Sequence, residues 1–259
     1  MTPRSIVGDP ISKKYPELAW SVNLEGSINV FRKLQAHAVH KFVFLSTCSN
    51  YGLRTSDDAA TEDADLNPKS VYAETKVEFE RFLLDNMEGL DFSPTILRIS
   101  TAYGLSSRMR FDLTVSEFTR DVVMGKELVV YDKDTWRPYC HLRDMSDAVT
   151  RVIEAPADKV RGEVFNVGHT HENFTKHMII EEVLKHVPEA ADRVSFQEGG
   201  VDPRNYKVDF SKIRDVLGFV PNHSVRRYVP ELVGAMRSGL FSRVDELRNY
   251  YGNYEIVTE

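Results

Sequence analysis

Short continuous apolar runs alternate along this chain with longer stretches whose apolar positions recur every three or four residues. The clearest run, Phe42-Val43-Phe44-Leu45, passes directly into the small polar residues Ser46-Thr47-Cys48-Ser49-Asn50. Such a run suits a strand buried on both faces. Residues 16–38 carry Leu18, Val22, Gly26, Val30 and Leu34 at helical spacing, which predicts an amphipathic helix, with Gly26 marking a close helix contact. Asn67-Pro68 announces a second helix over about 71–87. Further strands are expected over 95–99, 128–131 and 164–167 and near Val194. Further helices are expected over 113–124, from Asp144 to about 155, from about 175, and over about 211–217 and 225–237. Strand and helix in alternation argue for a parallel sheet with helical crossovers, an α/β fold.

Composition narrows the class without naming an activity. At 259 residues and 42% hydrophobic, the chain can bury a sizeable core as one large domain or a domain plus a small lobe. A net charge of -6 without long like-charge blocks gives no electrostatic reason to bind nucleic acid or an anionic membrane. Two cysteines, Cys48 and Cys140, are too few for a disulfide framework and suit a reducing compartment. No run reaches the roughly 18 apolar residues of a membrane span, and the start of the chain lacks a signal-peptide stretch. A cytoplasmic location is expected. No Cys/His/Asp/Glu spacing suggests a metal site.

Candidate chemistry begins with Tyr72 and Lys76. Four residues apart on one helix, they share a face, so the ammonium can favour a phenolate and make Tyr72 an acid/base for a hydroxyl proton. Alone, the pair reads more readily as an ordinary helix-surface contact. Thr47 adds weight, because the carboxyl end of a parallel strand is where open α/β sheets hold ligands. Ser49 and Asn50 read as turn residues.

Joined in order, several segments resemble the extended short-chain dehydrogenases/reductases of the nucleotide-sugar epimerase/dehydratase family. They are Ser46-Thr47 with Tyr51-Gly52, Tyr72 with Lys76, Leu97 to Gly104, Arg137-Pro138-Tyr139-Cys140-His141-Leu142-Arg143-Asp144, Phe165-Asn166-Val167-Gly168, and Asp209-Phe210-Ser211-Lys212 followed by Leu217 to Pro221. The resemblance implies a doubly wound, Rossmann-like sheet and a smaller carboxyl-terminal substrate-binding lobe, divided softly at about 160/161 with interleaved elements. It implies Thr47, Tyr72 and Lys76 as the catalytic trio. Tyr72 and Lys76 would also face NAD or NADP, with Lys76 on the nicotinamide ribose. Asn23 matches a helix asparagine near the cofactor, or is a packing amide. Arg137 and Arg204 match positions that grip the diphosphate of a nucleotide sugar, a task suited to guanidinium. Arg108 and Arg110 either extend that anion pocket or face solvent.

Departures from the family pattern narrow the reaction. The dehydratases place Asp-Glu after the catalytic Thr, whereas this chain has Cys48 and Ser49, which argues against elimination. Cys48 is either a small packing residue or an acid/base with a lowered pKa. His141 reads as a core histidine. None of the 14 glycines falls into GxGxxG or GxxGxxG, and only about 15 residues precede the first expected helix, too few for a βαβ unit of about 30. The expectation is an incomplete sheet whose first four strands are missing. The strand at 42–45 becomes an apolar edge needing cover, from a second copy of the chain or a separate polypeptide. The family's dimer helices match 16–38 and 71–87, which favours a homodimer. Three functions follow: an epimerase or ketosugar reductase working by hydride transfer with Tyr72 as acid/base, a short-form nucleotide-sugar-binding protein without dinucleotide-dependent turnover, or a cofactor-independent sugar isomerase.

Overall fold

The structure of the chain is a computed structural model describing residues 5–200 and 202–256. The amino-terminal half runs through α1 (Asp9–Lys14), α2 (Pro16–Ala19), α3 (Gly26–Leu34), β1 (Lys41–Thr47), α4 (Val71–Asp85), β2 (Ser93–Ile99), β3 (Thr101–Tyr103), α5 (Thr114–Val123) and β4 (Leu128–Tyr131). Then come β5 (Trp136–His141), α6 (Leu142–Glu154), β6 (Val164–Val167), β7 (Asn173–Thr175), α7 (Lys176–Leu184), β8 (Val194–Gln197), α8 (Ser211–Leu217) and α9 (Val225–Arg237).

β1, β2 and β6 pair in parallel in the order β1-β2-β6. Thr47 lies opposite Ile99, and Ile99 opposite Val167. The three carboxyl ends therefore finish level. On one face α3 and α4 bury Phe31, Phe44, Phe79, Phe92 and Ile96, with Phe44 and Phe79 edge-on at 4.6 Å between ring centres. On the other, α6 and α8 close over Leu97, Val152, Phe165 and Ile213. Helices on both faces of a parallel sheet make this the expected Rossmann-like α/β fold. β6 crosses the expected division at about 160 to join β1 and β2.

The remaining strands form two small sheets, β3-β5-β7 and β4-β8. Around them α5, α7 and α9 build a second core on Phe111, Tyr139, Ile179, Tyr228 and Val229. β1 stands at the edge of its sheet, where Leu45 is 49% exposed. Among the described residues no helix is long and apolar enough to cross a membrane.

The helix expected over 16–38 differs in phase. A π-helical stretch, Trp20–Glu25, sits between α2 and α3, and its wider turn rotates the stripe. Leu18 is exposed while Ala19, Asn23 and Phe31 are buried. The helix also ends four residues early, at Leu34. Ahead of it lies α1, six residues with Pro10 in its first turn, too short to show a period. Residues 250–256 fold back on the body: Phe111 N–H donates to Tyr251 O and Asn253 donates to Val7 O.

Candidate active site

The level ends of β1 and β2 open into a cavity of about 480 Å³, walled by Thr47, Ser49, Tyr72, Ser100, Arg137 and Tyr206 among others. Its position follows from the sheet, since parallel strands aim their last residues into the crevice beyond their carboxyl ends. The chain turns sharply after Thr47, whose hydroxyl accepts from Ser49 N–H at 3.1 Å. Gly52 closes the turn at φ 61°, and a Cβ there would stand 1.7 Å from Asn67 O. Only glycine allows that approach.

A buried polar network fixes this turn from below. The Glu80 carboxylate on α4 accepts from Ser46 Oγ, from Asn50 Nδ2 at 2.8 Å and from Arg98 Nη2 at 2.8 Å. Arg98 Nη1 donates to Tyr51 Oη at 3.0 Å, and Tyr51 donates to Asn166 at 2.7 Å. Asn50 is therefore a network member, while Ser49 reaches the cavity.

Tyr72 is half-buried and lines the cavity beside Thr47. Burial and the Asp9 carboxylate push its phenol up to about 12, against the opposing hydrogen bond from Thr47 and the charge of Arg110. Lys76, expected to favour a phenolate at Tyr72, is directed at the edge strand. Its Nζ donates to Leu45 O at 2.9 Å, covering a backbone carbonyl of the edge strand, and lies 5.9 Å from the centre of the Tyr72 ring. Burial lowers this ammonium to about 8, with Glu80 opposing. The Tyr72 phenol is thus neutral near pH 7.

At the far wall, Arg137 is 5% exposed. Its Nη2 stands 2.9 Å from Asp202 Oδ2 but has no aligned hydrogen-bond acceptor. Arg204 makes a forked pair with Asp202 at 2.8 and 2.7 Å, reaches Ser49 Oγ at 3.3 Å and pairs with Asp9. Burial works against the Asp202 charge, yet Arg204 and Arg137 hold its carboxyl well below the usual range. Lys176 also lines the cavity and donates to Tyr131 O at 2.7 Å. Four bases (Arg110, Arg137, Lys176, Arg204) face four acids (Asp9, Asp112, Glu117, Asp202). Arg110, Arg137 and Arg204 are each ion-paired with a cavity carboxylate, while Lys176 is held by a backbone carbonyl.

Thr47, Tyr72, Arg137, Arg204 and Arg110 come together around this space, Arg110 forked on Asp112 at 2.6 and 2.7 Å. The other sequence candidates do not reach it. Arg108 points away to Asn253 at 2.9 Å. Cys48 faces the opposite way, donating to Arg98 O at 3.1 Å among Tyr51, Ala60 and Phe210. Burial pushes that thiol far up, the reverse of what an acid/base needs at neutral pH. Asn23 accepts from Ser5 and from Ile6 N–H and donates to Ile6 O and Thr75, so its amide packs the helix. His141 is buried and stacks at 4.2 Å on His223. Asp9, Glu117, Lys176, Asp202 and Tyr206 went unrecognised in the sequence. Only the proximity of Asp202 to Arg204 gave a local signal, and Val201 before it lies outside the described residues.

Residues 5–168 match the model of the NAD dependent epimerase/dehydratase family. The UDP-glucose 4-epimerase of Corynebacterium glutamicum is 26% identical over 257 residues, covering 93% of this chain and 75% of its own. Among solved structures, the UDP-glucose 4-epimerase of Thermotoga maritima with UDP-glucose superposes with a TM-score of 0.81 at 23% identity, over 92% of this chain and 76% of that one. The dTDP-glucose 4,6-dehydratase of Bacillus anthracis in complex with NAD gives 0.74 at 21%, over 85% and 69%. At these identities the structural likeness concerns the fold.

Proposed function

The chain belongs to the NAD dependent epimerase/dehydratase family, and on that premise we propose that its cavity binds a nucleoside-diphosphate sugar and moves a proton at one sugar hydroxyl. The observation that carries this is the pairing of walls: the Thr47 and Tyr72 hydroxyls on one side, and on the other Arg204 beside buried Arg137, whose Nη2 meets Asp202 at 2.9 Å without an aligned hydrogen bond. Guanidinium in a low-dielectric wall suits a diphosphate, and a hydroxyl pair suits a sugar oxygen. In this reading residues beyond about 161 act mainly as the substrate-binding lobe, through Lys176, Asp202, Arg204 and Tyr206.

The protonation state assigns a direction. A phenol raised to about 12 is fully protonated near neutrality, so Tyr72 donates its proton to a sugar oxygen gaining negative charge, while Thr47 holds that oxygen. Epimerisation and ketosugar reduction both contain such a step. In the family the redox partner is a nicotinamide. Of the residues expected to face it, Asn23 is taken up by Ser5, Ile6 and Thr75, while Lys76 spends one of its three N–H donors on Leu45 O and keeps two with which it would hold the ribose hydroxyls. The commitment of Asn23 favours a second reading, a nucleotide-sugar-binding form without dinucleotide-dependent turnover.

Calorimetric titration with UDP-glucose and dTDP-glucose tests the proposal. Binding to the wild type is expected, weakened about ten- to a hundredfold in Arg137→Met, from the loss of charged hydrogen bonds worth about 1.5–3 kcal/mol. Equal affinity in the two proteins would remove the diphosphate assignment.

A further inference from the structure

Asp9 touches both Arg204 and the start of the helix that carries Tyr72. Its Oδ2 pairs with Arg204 Nη1, and its Oδ1 accepts from Ser70 Oγ at 2.6 Å. Ser70 caps the amino terminus of α4, the helix that carries Tyr72. Asp9 follows Gly8, whose φ of 116° is open to glycine, and the preceding Val7 carbonyl is held by Asn253 at 2.7 Å. The carboxylate is thus delivered into the cavity by a short segment anchored from outside it.

Arg204 has little spare capacity while Asp9 is present. Asp202 takes its Nε and Nη2, and Asp9 and Ser49 take its Nη1. Only the Nη1 side faces Tyr72's helix and the turn after β1. An incoming phosphate oxygen must share that side with a fixed carboxylate, or replace it.

We propose that Asp9 is a built-in counter-anion, which an anionic ligand must displace from Arg204 before its own charge is held. The inference rests on the diphosphate reading of the cavity. It gives Asp9 a positioning role: it holds Arg204 and the start of α4 together when the cavity is empty, and sets a threshold that only a multiply charged ligand overcomes. A second consequence concerns Tyr72, which faces Asp9, Arg110, Thr47 and Tyr206. Removing the Asp9 charge lowers the phenol's titration midpoint.

The test compares wild type, Asp9→Asn, Asp9→Glu, Arg204→Met and the Asp9→Asn/Arg204→Met pair by calorimetry, with UDP and inorganic pyrophosphate as probes. Asp9→Asn is expected to tighten both probes about tenfold, equivalent to about 1.4 kcal/mol. Asp9→Glu, which keeps the charge, stays within about twofold of wild type, and Asp9→Asn has no effect when Arg204 is already Met. Carbon-13 titration of the Tyr72 ζ-carbon gives an independent readout, its midpoint falling in both proteins that carry Asp9→Asn and not in Asp9→Glu or Arg204→Met. UDP binding that Asp9→Asn leaves unchanged or weakens overturns the inference and leaves the nucleotide reading standing. Pyrophosphate tightened in Asp9→Asn, with UDP bound by none of the proteins, overturns the nucleotide reading and keeps the inference. Neither probe bound by any variant overturns both.

Discussion

Glu80→Gln removes one charge and almost no volume from beneath the turn that carries Thr47. The Glu80 and Arg98 side chains are 3% and 7% exposed, and their contact is 2.8 Å. The same carboxylate also takes Ser46 and Asn50. In the variant, Arg98 keeps its charge but loses its counter-ion, and its guanidinium, which only donates, faces a neutral amide in place of a carboxylate. Breaking a buried pair by removing one partner costs about 3–5 kcal/mol, a large share of the roughly 5–15 kcal/mol that keeps a domain folded. For a chain of this size, each kcal/mol corresponds to about 2–4 °C, so thermal unfolding followed by circular dichroism should shift down by about 6–20 °C. The double replacement Glu80→Leu/Arg98→Met, which leaves no orphaned charge, should recover most of the loss. A single variant within about 2 °C of wild type, or a double no better than the single, would refute the reasoning.

Burial and neighbouring His223 lower His141 to about 4 from its ordinary 6.5. The unfolded chain therefore takes up this proton as pH falls through about 6.5, while the folded chain resists until about 4. Stability from this group is fully present above about 6.5 and is lost across that window, by about 3 kcal/mol at most. Urea midpoints between pH 7 and 4 should fall more steeply for wild type than for His141→Gln, and parallel curves would count against it. Both cysteines are buried and their thiols are pushed up by desolvation, so Ellman's reagent at pH 8 should find none reactive until urea is added. A rapidly reacting thiol in the native protein would return Cys48 to consideration as an acid/base.

Much of the fold was legible because its signals are local. The Phe42–Leu45 run and the Asn67-Pro68 pair mark β1 and α4 without any tertiary information. The phase of the 16–34 helical region was not, since a π-helical turn leaves no trace in apolar spacing. β3 and β7, each three residues long, are shaped by pairing with β5. In the site, Thr47 and Tyr72 were readable because strand end and helix face are geometric consequences of sequence spacing. The resemblance placed Arg137 and Arg204. Spacing brings Lys76 to Tyr72's face but does not reveal the carbonyl of Leu45 at the sheet edge, to which its ammonium donates. Asp9 was invisible, since its partners Ser70 and Arg204 lie 61 and 195 positions away along the chain.

The central claim is that Arg137 and Arg204 hold a diphosphate while Thr47 and Tyr72 meet the sugar. Calorimetric titration of the intact chain with UDP-glucose and dTDP-glucose, set against Arg137→Met, tests it most directly. The account predicts saturable binding of at least one sugar nucleotide by the wild type, weakened about ten- to a hundredfold by the substitution. Undetectable binding of both ligands by the wild type, or equal affinity in the variant, would contradict it.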